Sequence, residues 1–415
     1  MFTPYNNYQK DSNAMEMSTS GYFQNYNINN SSSFIPKINS KIRFNSLLAI
    51  GNPIVDISAE VTRDILTKYN LKFGETVFAN QYNDGFFQEL ENMPQVTYIP
   101  GGSIQNTLRV TALCLNMEPN KAKFFKLTML GATGNDNYRN KIKYAFEQLG
   151  VQYILEIIPN VQTSRCGVGI HQKERCLLPQ IRASNCITEK FIEDNEDQIF
   201  KHDALLIEGY FLQEKYELCL MLCNKFNEQR KLVILTLSAI TIVTQQNDKI
   251  IEISNKADII VGNMAELEAL ADNKNMDYKT TFEKVSRKLR TKKDRLFVIT
   301  NGNKGVVVGK YDYTKGSMDF IFQCFPTVMK MEDIVDLNGA GDAFLGGFLS
   351  QYMQGKSLEA CCKAGNDAAS IILKNIGCTF PKTAKIQFKE WIKDYKTFIY
   401  IKTCNDFKLK FIYKI

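Results

Sequence analysis

Histidine is almost missing from this chain of 415 residues, which has only His171 and His202. That scarcity excludes a multi-histidine metal centre and leaves a triad built on one histidine as the most either residue offers. Neither histidine stands in a recognisable nucleophile or ligand setting. The eleven cysteines include no CxxC pair, and their odd number fits neither a paired disulfide framework nor zinc spacing, so reduced, mostly buried thiols are expected. No apolar run approaches the roughly 18 residues that cross a bilayer. The opening MFTPYNNYQKDSN carries neither a basic and then apolar leader nor an arginine-rich transit pattern, so the reading is a cytoplasmic protein with no membrane partner.

Hydrophobic residues make up 44% of the chain and charged residues 23%, an ordinary globular balance. The net charge of +7 is unevenly spread: from Ile386 to Ile415 seven lysines face three acids, and no basic motif is interleaved with aromatics elsewhere. A nucleic-acid partner is therefore not expected. Residues 1–40 hold eight Asn and seven Ser, a composition too poor in aliphatics to offset its ordering entropy. The expected organisation is a flexible tail over 1–43, a folded domain over 44–385 and a basic extension over 386–415.

Within the domain, strand-like runs alternate with helix-like ones. FNSLLAIG opens it, and KFFKLTMLG, DALLIEG, KLVILTLS and ADIIVG each precede an amphipathic segment. Nearly continuous apolar strands separated by helices predict an α/β fold, a large mostly parallel sheet flanked by helices. Residues 53–80 and 161–187 break the alternation, reading as strands without a helix between them. CGVGIHQKERCLLPQ reads as a hairpin turning at QKER, so a small β-rich lid is expected. The charge run at 291–295 reads as a solvated connection.

The segment most informative about chemistry is Asp336-Leu-Asn-Gly-Ala-Gly-Asp342 before a helix. Glycines at a helix start leave backbone N–H groups unpaired, and with the helix dipole these form an anion hole suited to a phosphate. Asp342 in the first turn is placed to accept a proton from an attacking hydroxyl. The dipole is expected to lower its pKa, which phosphoryl transfer tolerates because it needs positioning more than basicity. Gln354-Gly-Lys-Ser357 lacks the first glycine of a P-loop and reads as a helix end, and Gly346-Gly347 as close helix packing. Asn52 and Asp56 follow the first strand, and Gly102, Ser103 and Asn106 follow another. Carboxylate and amide groups beside free N–H groups suit a vicinal diol such as a ribose, although Asx residues at turns also serve the turn itself. Asn263 with Glu266 matches a helix capping box, or else a carboxylate that orders waters around Mg²⁺.

Taken together and in order, GNPIVDIS, YIPGGSIQNTLRV, NMAE, DLNGAGDAFLGGFLSQ and GCTFP resemble the ribokinase-like (PfkB) family of sugar and nucleoside kinases, in its adenosine branch, over about residues 44–382. The resemblance implies transfer of the ATP γ-phosphate to the ribose 5′-hydroxyl of adenosine, giving AMP and ADP in purine salvage, with Mg²⁺ required. It implies Asp342 as base and Gly339, Ala340 and Gly341 as anion hole. Asn52, Asp56, Gly102, Ser103, Asn106 and Asn338 would contact the nucleoside, with Tyr210 and Phe211 packing on its base. Arg175, Asn263, Thr300 and Gly302 would serve the nucleotide, and Glu266 would hold Mg²⁺ through water. Leu337, Pro179, Arg182, Arg139, Glu208 and Ile240 depart from the family pattern. Two alternatives stay open: a related kinase for a sugar or another nucleoside, and a kinase fold of low activity used as an assembly subunit. The chain is expected to be monomeric unless its tails join a larger assembly.

Overall fold

The computed structural model describes residues 44–115, 124–171, 174–274, 276–290, 292–326, 329–381, 397–401 and 410–413. The expected tail over 1–43 lies outside them, as do most of 386–415 and the two residues at the tip of the QKER turn. Seven parallel strands form the body of the main sheet, in the order β5 (Gln152–Ile157), β4 (Lys126–Thr133), β1 (Ser46–Ile50), β8 (Ala204–Glu208), β9 (Leu232–Thr236), β10 (Ile259–Asn263) and β11 (Arg295–Thr300). Four antiparallel strands extend it: β12 (Val306–Asp312), β13 (Ser317–Cys324), β14 (Thr397–Ile401) and β15 (Lys410–Tyr413). Strands such as ALLIE are buried along their whole length because helices cover both faces, which is why they read as unbroken apolar runs.

Each helix expected between these strands is present, including Asn137–Leu149, which Gly150 ends in the left-handed region at φ 64°. Two apolar layers result, one on each face of the sheet, with Leu48, Ile207 and Phe297 in one and Leu47, Leu206 and Val298 in the other. The glycine pair reads as expected. A Cβ on Gly346 would stand 2.6 Å from that of Val110 on the helix Ser103–Cys114, and one on Gly347 would collide with the Ala364 carbonyl on the helix Leu358–Ile372. Gln354 ends the helix Ala340–Met353, so the P-loop lookalike is a helix end.

A second sheet holds β2 (Ile54–Glu60), β3 (Thr97–Gly101), β6 (Ser164–His171) and β7 (Glu174–Gln180), in the order β3, β2, β6, β7. It differs from the sequence reading in two ways. Residues 53–80 include a short helix, Arg63–Lys68, whose Leu66 is buried under the small sheet, and β3 comes from outside both expected segments. The charge run at 291–295 is not wholly solvated either. Arg295 begins β11 and is buried, its guanidinium donating to the Ala257 carbonyl at 3.2 Å, while Lys293 pairs with Asp258 at 2.9 Å.

The ten cysteines described are all unpaired, and all but Cys186 are buried. His202 is a core residue held by the Ile199 carbonyl and the Thr128 hydroxyl, and burial pushes its pKa down to about 4. Among the described residues no helix is long and apolar enough to cross a membrane.

Candidate functional site

Gly339 stands at φ 77° just before the helix Ala340–Met353, a left-handed conformation that glycine adopts without strain. By helix geometry the N–H groups of Ala340, Gly341 and Asp342 have no intrahelical acceptor, and a Cβ on Gly341 would meet nothing within 4 Å. An open cradle of backbone donors therefore exists where the sequence places it. Asn338 and Leu337, the latter 72% exposed, flank it on the solvent side.

Asp342 faces the helix Ser103–Cys114. Its Oδ1 accepts from the Ser103 hydroxyl at 2.5 Å and its Oδ2 from the Asn106 amide at 2.9 Å. The carboxyl is pushed above the usual carboxylate range because burial outweighs those two bonds. This reverses the expected dipole effect: a helix terminus favours the charge by about 0.3–1 kcal/mol when exposed, less than desolvation costs in a recess. Asp342 is consequently a stronger base than an exposed aspartate.

Asp56 on β2 completes one wall. Burial raises its pKa to about 7, with Arg109 and Arg175 pulling it back. A Cβ on Gly101 would collide with the Asp56 carboxylate, so glycine there is a steric requirement of this wall. Gly102, at φ 87°, passes so near the Asn52 carbonyl that a Cβ would lie 2.6 Å from it. Asn52 is buried after β1, and both its backbone N–H and its amide donate to Glu208 at the end of β8.

The other half of the site lies along the carboxyl ends of β10 and β11, the usual ligand edge of such sheets. Asn263 and Thr300 are register partners there, with Gly302 at φ 53° in the turn beyond. The capping box is present in full: Glu266 N–H donates to the Asn263 side chain at 2.9 Å, and Asn263 N–H donates to Glu266 Oε2 at 3.0 Å. The Asn263 amide also reaches Glu266 Oε1 at 2.6 Å, while burial raises the acid to about 7. Tyr210, 43% exposed, sits between the halves. Burial and then the negative charges of Glu266, Asp342 and Glu208 push its phenol to about 12.

Two expected residues stand otherwise. Phe211 is fully buried in the core against the sheet, so Tyr210 alone of the pair faces the recess. Arg175 forms an ion pair at 2.8 Å with Asp336, joining the β7 end of the small sheet to the glycine loop. Asp336 also accepts from Asn338 N–H at 3.1 Å and from Gly377 N–H at 2.7 Å.

Asp336 and Arg109 are the site residues the sequence reading missed. The first opens the Asp336–Asp342 motif, and its contacts with Arg175 and Gly377 come from segments distant in the sequence. Arg109 is the lone cation in a mostly buried helix, donating to the carbonyls of Pro100 at 2.7 Å and Cys378 at 3.3 Å.

A buried carboxylate in the first helical turn, a cradle of backbone donors beside it and a recess of amides and carboxylates suit a phosphotransferase. The model of the pfkB family carbohydrate kinases matches residues 67–385. The chain belongs to this family. It is 31% identical to the adenosine kinase of Dictyostelium discoideum, over 82% of this chain and 98% of that protein. It is 30% identical to adenosine kinase 2 of Arabidopsis thaliana, over 81% and 96%. Among solved structures, the adenosine kinase of Anopheles gambiae in complex with P1,P4-di(adenosine-5) tetraphosphate superposes with a TM-score of 0.71 at 27% identity, covering 82% of this chain and all of that one.

Proposed function

We propose that the protein transfers the γ-phosphoryl group of ATP to the 5′-hydroxyl of adenosine, giving AMP and ADP and returning a purine nucleoside to the nucleotide pool. The observation that carries this reading is the pairing of Asp342 with Ser103 and Asn106 directly under the glycine-loop donors. One carboxylate thus borders both the recess for a hydroxylated acceptor and the cradle for a phosphate. It is supported by the adenosine kinases among the relatives.

In the reaction Asp342 takes the 5′-hydroxyl proton as the oxygen attacks phosphorus, and its raised pKa suits it to hold that proton. The N–H groups of Ala340, Gly341 and Asp342 carry the negative charge on the equatorial oxygens of the transferring group. Asp56, Asn52 and Asn106 hold the ribose, and Tyr210 offers its ring to the base. ATP lies along the ends of β10 and β11, by Asn263, Thr300 and Gly302. Arg175, now paired with Asp336, is close enough to the loop to exchange that partner for a phosphate.

For Mg²⁺, among the described residues no three His, Cys, Asp or Glu side chains are grouped to cage an ion. Glu266 fits an outer role. The Asn263 bonds use one lone pair on each carboxylate oxygen, leaving others for waters of an ion held mainly by the nucleotide. Bound there, Mg²⁺ would neutralise the β- and γ-phosphate charge.

The test is to incubate the purified protein with ATP, MgCl₂ and adenosine and to quantify both products. AMP and ADP should appear in equal amounts, with guanosine, free ribose and fructose turned over poorly. Phosphorylation of a free sugar in preference to adenosine would replace this reading with that of a sugar kinase.

A further inference from the structure

Three buried acceptor oxygens in the recess have no hydrogen-bond partner: Asn52 Oδ1, Asn106 Oδ1 and Glu208 Oε2. A buried polar group left unpaired is destabilising, so such a cluster marks where a ligand supplies donors. The two asparagines are built alike. Each turns its NH₂ toward a carboxylate, Asn106 toward Asp342 at 2.9 Å and Asn52 toward Glu208 at 3.3 Å, and each is left with a free carbonyl oxygen.

For Asn106 the lock is the catalytic base itself. For Asn52 it is Glu208, whose Oε1 also takes the Asn52 backbone N–H at 2.9 Å. Glycine at 51 makes this possible, since a Cβ there would lie 2.8 Å from Glu208 Oε1. Oε1 accepts whether the acid is ionised or carries its proton on the unpartnered Oε2, so an amide facing Oε1 must present nitrogen and point its oxygen elsewhere. Without Glu208 the amide can turn over and offer a donor or an acceptor at little cost.

We propose that Glu208 is a positioning residue for substrate specificity, fixing the Asn52 amide so that Oδ1 accepts from a ribose hydroxyl. The inference rests on the nucleoside reading above and adds what enforces it. A locked acceptor demands a hydroxyl: a deoxyribose brings no donor and leaves Oδ1 buried and unpaired, whereas an unlocked amide relaxes that demand.

The experiment compares kcat/KM for adenosine with that for 2′-deoxyadenosine and 3′-deoxyadenosine in the wild type and in Glu208→Ala, Glu208→Gln and Asn52→Ala. In Glu208→Ala the ratio of adenosine to at least one deoxy analogue should fall tenfold or more, mainly through KM for adenosine, with KM for ATP unchanged. Asn52→Ala should lower the same ratio, and adding Glu208→Ala to it should lower the ratio no further, because both act through one oxygen. Glu208→Gln, whose amide oxygen accepts the same two bonds, should keep the ratio within about threefold of wild type. A purely structural role would slow ribo and deoxy substrates in parallel. An unchanged ratio in Glu208→Ala or in Asn52→Ala, or a Gln variant as impaired as the Ala one, would overturn the proposal; the Asn52 and Gln variants decide it even if Glu208→Ala does not fold. Failure of the wild type to phosphorylate any of the three nucleosides would instead overturn the kinase reading beneath it.

Discussion

Burial sets the chemistry of single residues here more than any ion pair does. Asp56, Glu208 and Glu266 are each raised to about 7, first of all by desolvation. An acid whose folded pKa lies above its unfolded value binds more protons when folded, so its stabilising contribution is complete at low pH and is lost as pH rises toward 7. For Glu208, starting near 4.5, the amount is on the order of 3 kcal/mol. Glu208→Gln, with nothing to titrate, should therefore lose less melting temperature between pH 5 and pH 8 than the wild type, measured without ligand. Equal losses would mean that the carboxyl is not desolvated as described. On the proposed function Asp56 holds the ribose, and Asp56→Ala should weaken nucleoside binding by about 1–3 kcal/mol, read by calorimetry, while ATP binding holds. Parallel loss of both ligands would point to a damaged fold. The position of Asn52 just past a strand was legible in the sequence, whereas Asp56, read as lying beyond that strand, stands within β2 of the small sheet. The dominance of desolvation at Asp342 was not legible, since a helix start in a sequence does not say how deep the helix lies.

Two contacts between elements hold the site together. The ion pair of Arg175 with Asp336 fastens β7 to the glycine loop, and Asp336 binds two backbone N–H groups as well. Removing one partner of a buried pair leaves the other charge uncompensated, at a cost of about 3–5 kcal/mol. Asp336→Ala should accordingly lower the denaturation midpoint by an amount in that range; a loss under 1 kcal/mol would show that the pair is not a structural link. The second contact is helix on helix. Gly347→Val should destabilise strongly, because no space exists against the Ala364 carbonyl, and an unchanged melting temperature would refute that packing. The helix end at Gln354 and the glycine packing could be read from local spacing. The short helix Arg63–Lys68 could not: six residues give too brief a period, and its burial comes from the small sheet, which forms across distant segments. Phe211 failed for a related reason, as strand-end aromatics enter the core or the cleft according to the layer packed beneath them.

At the scale of the whole molecule, the parallel sheet brings the ends of β1, β8, β10 and β11 to one edge, and the helix Ala340–Met353 delivers its first turn to the same place. Alternating apolar runs made that architecture legible, as they encode burial on both faces. The antiparallel extension by β14 and β15 was passed over although TFIYI and KFIY are runs of β-forming residues, because the 386–415 segment was read only through its basic charge. All of these parts converge on one carboxylate. The most direct test is single-turnover AMP formation by Asp342→Asn, beside the melting temperature and adenosine affinity of the same preparation. The amide keeps the shape and loses the proton acceptor, so turnover should fall by about 10² to 10⁴ with melting temperature and adenosine binding near wild type. Turnover within a few fold of wild type would contradict the assignment of Asp342 as the base.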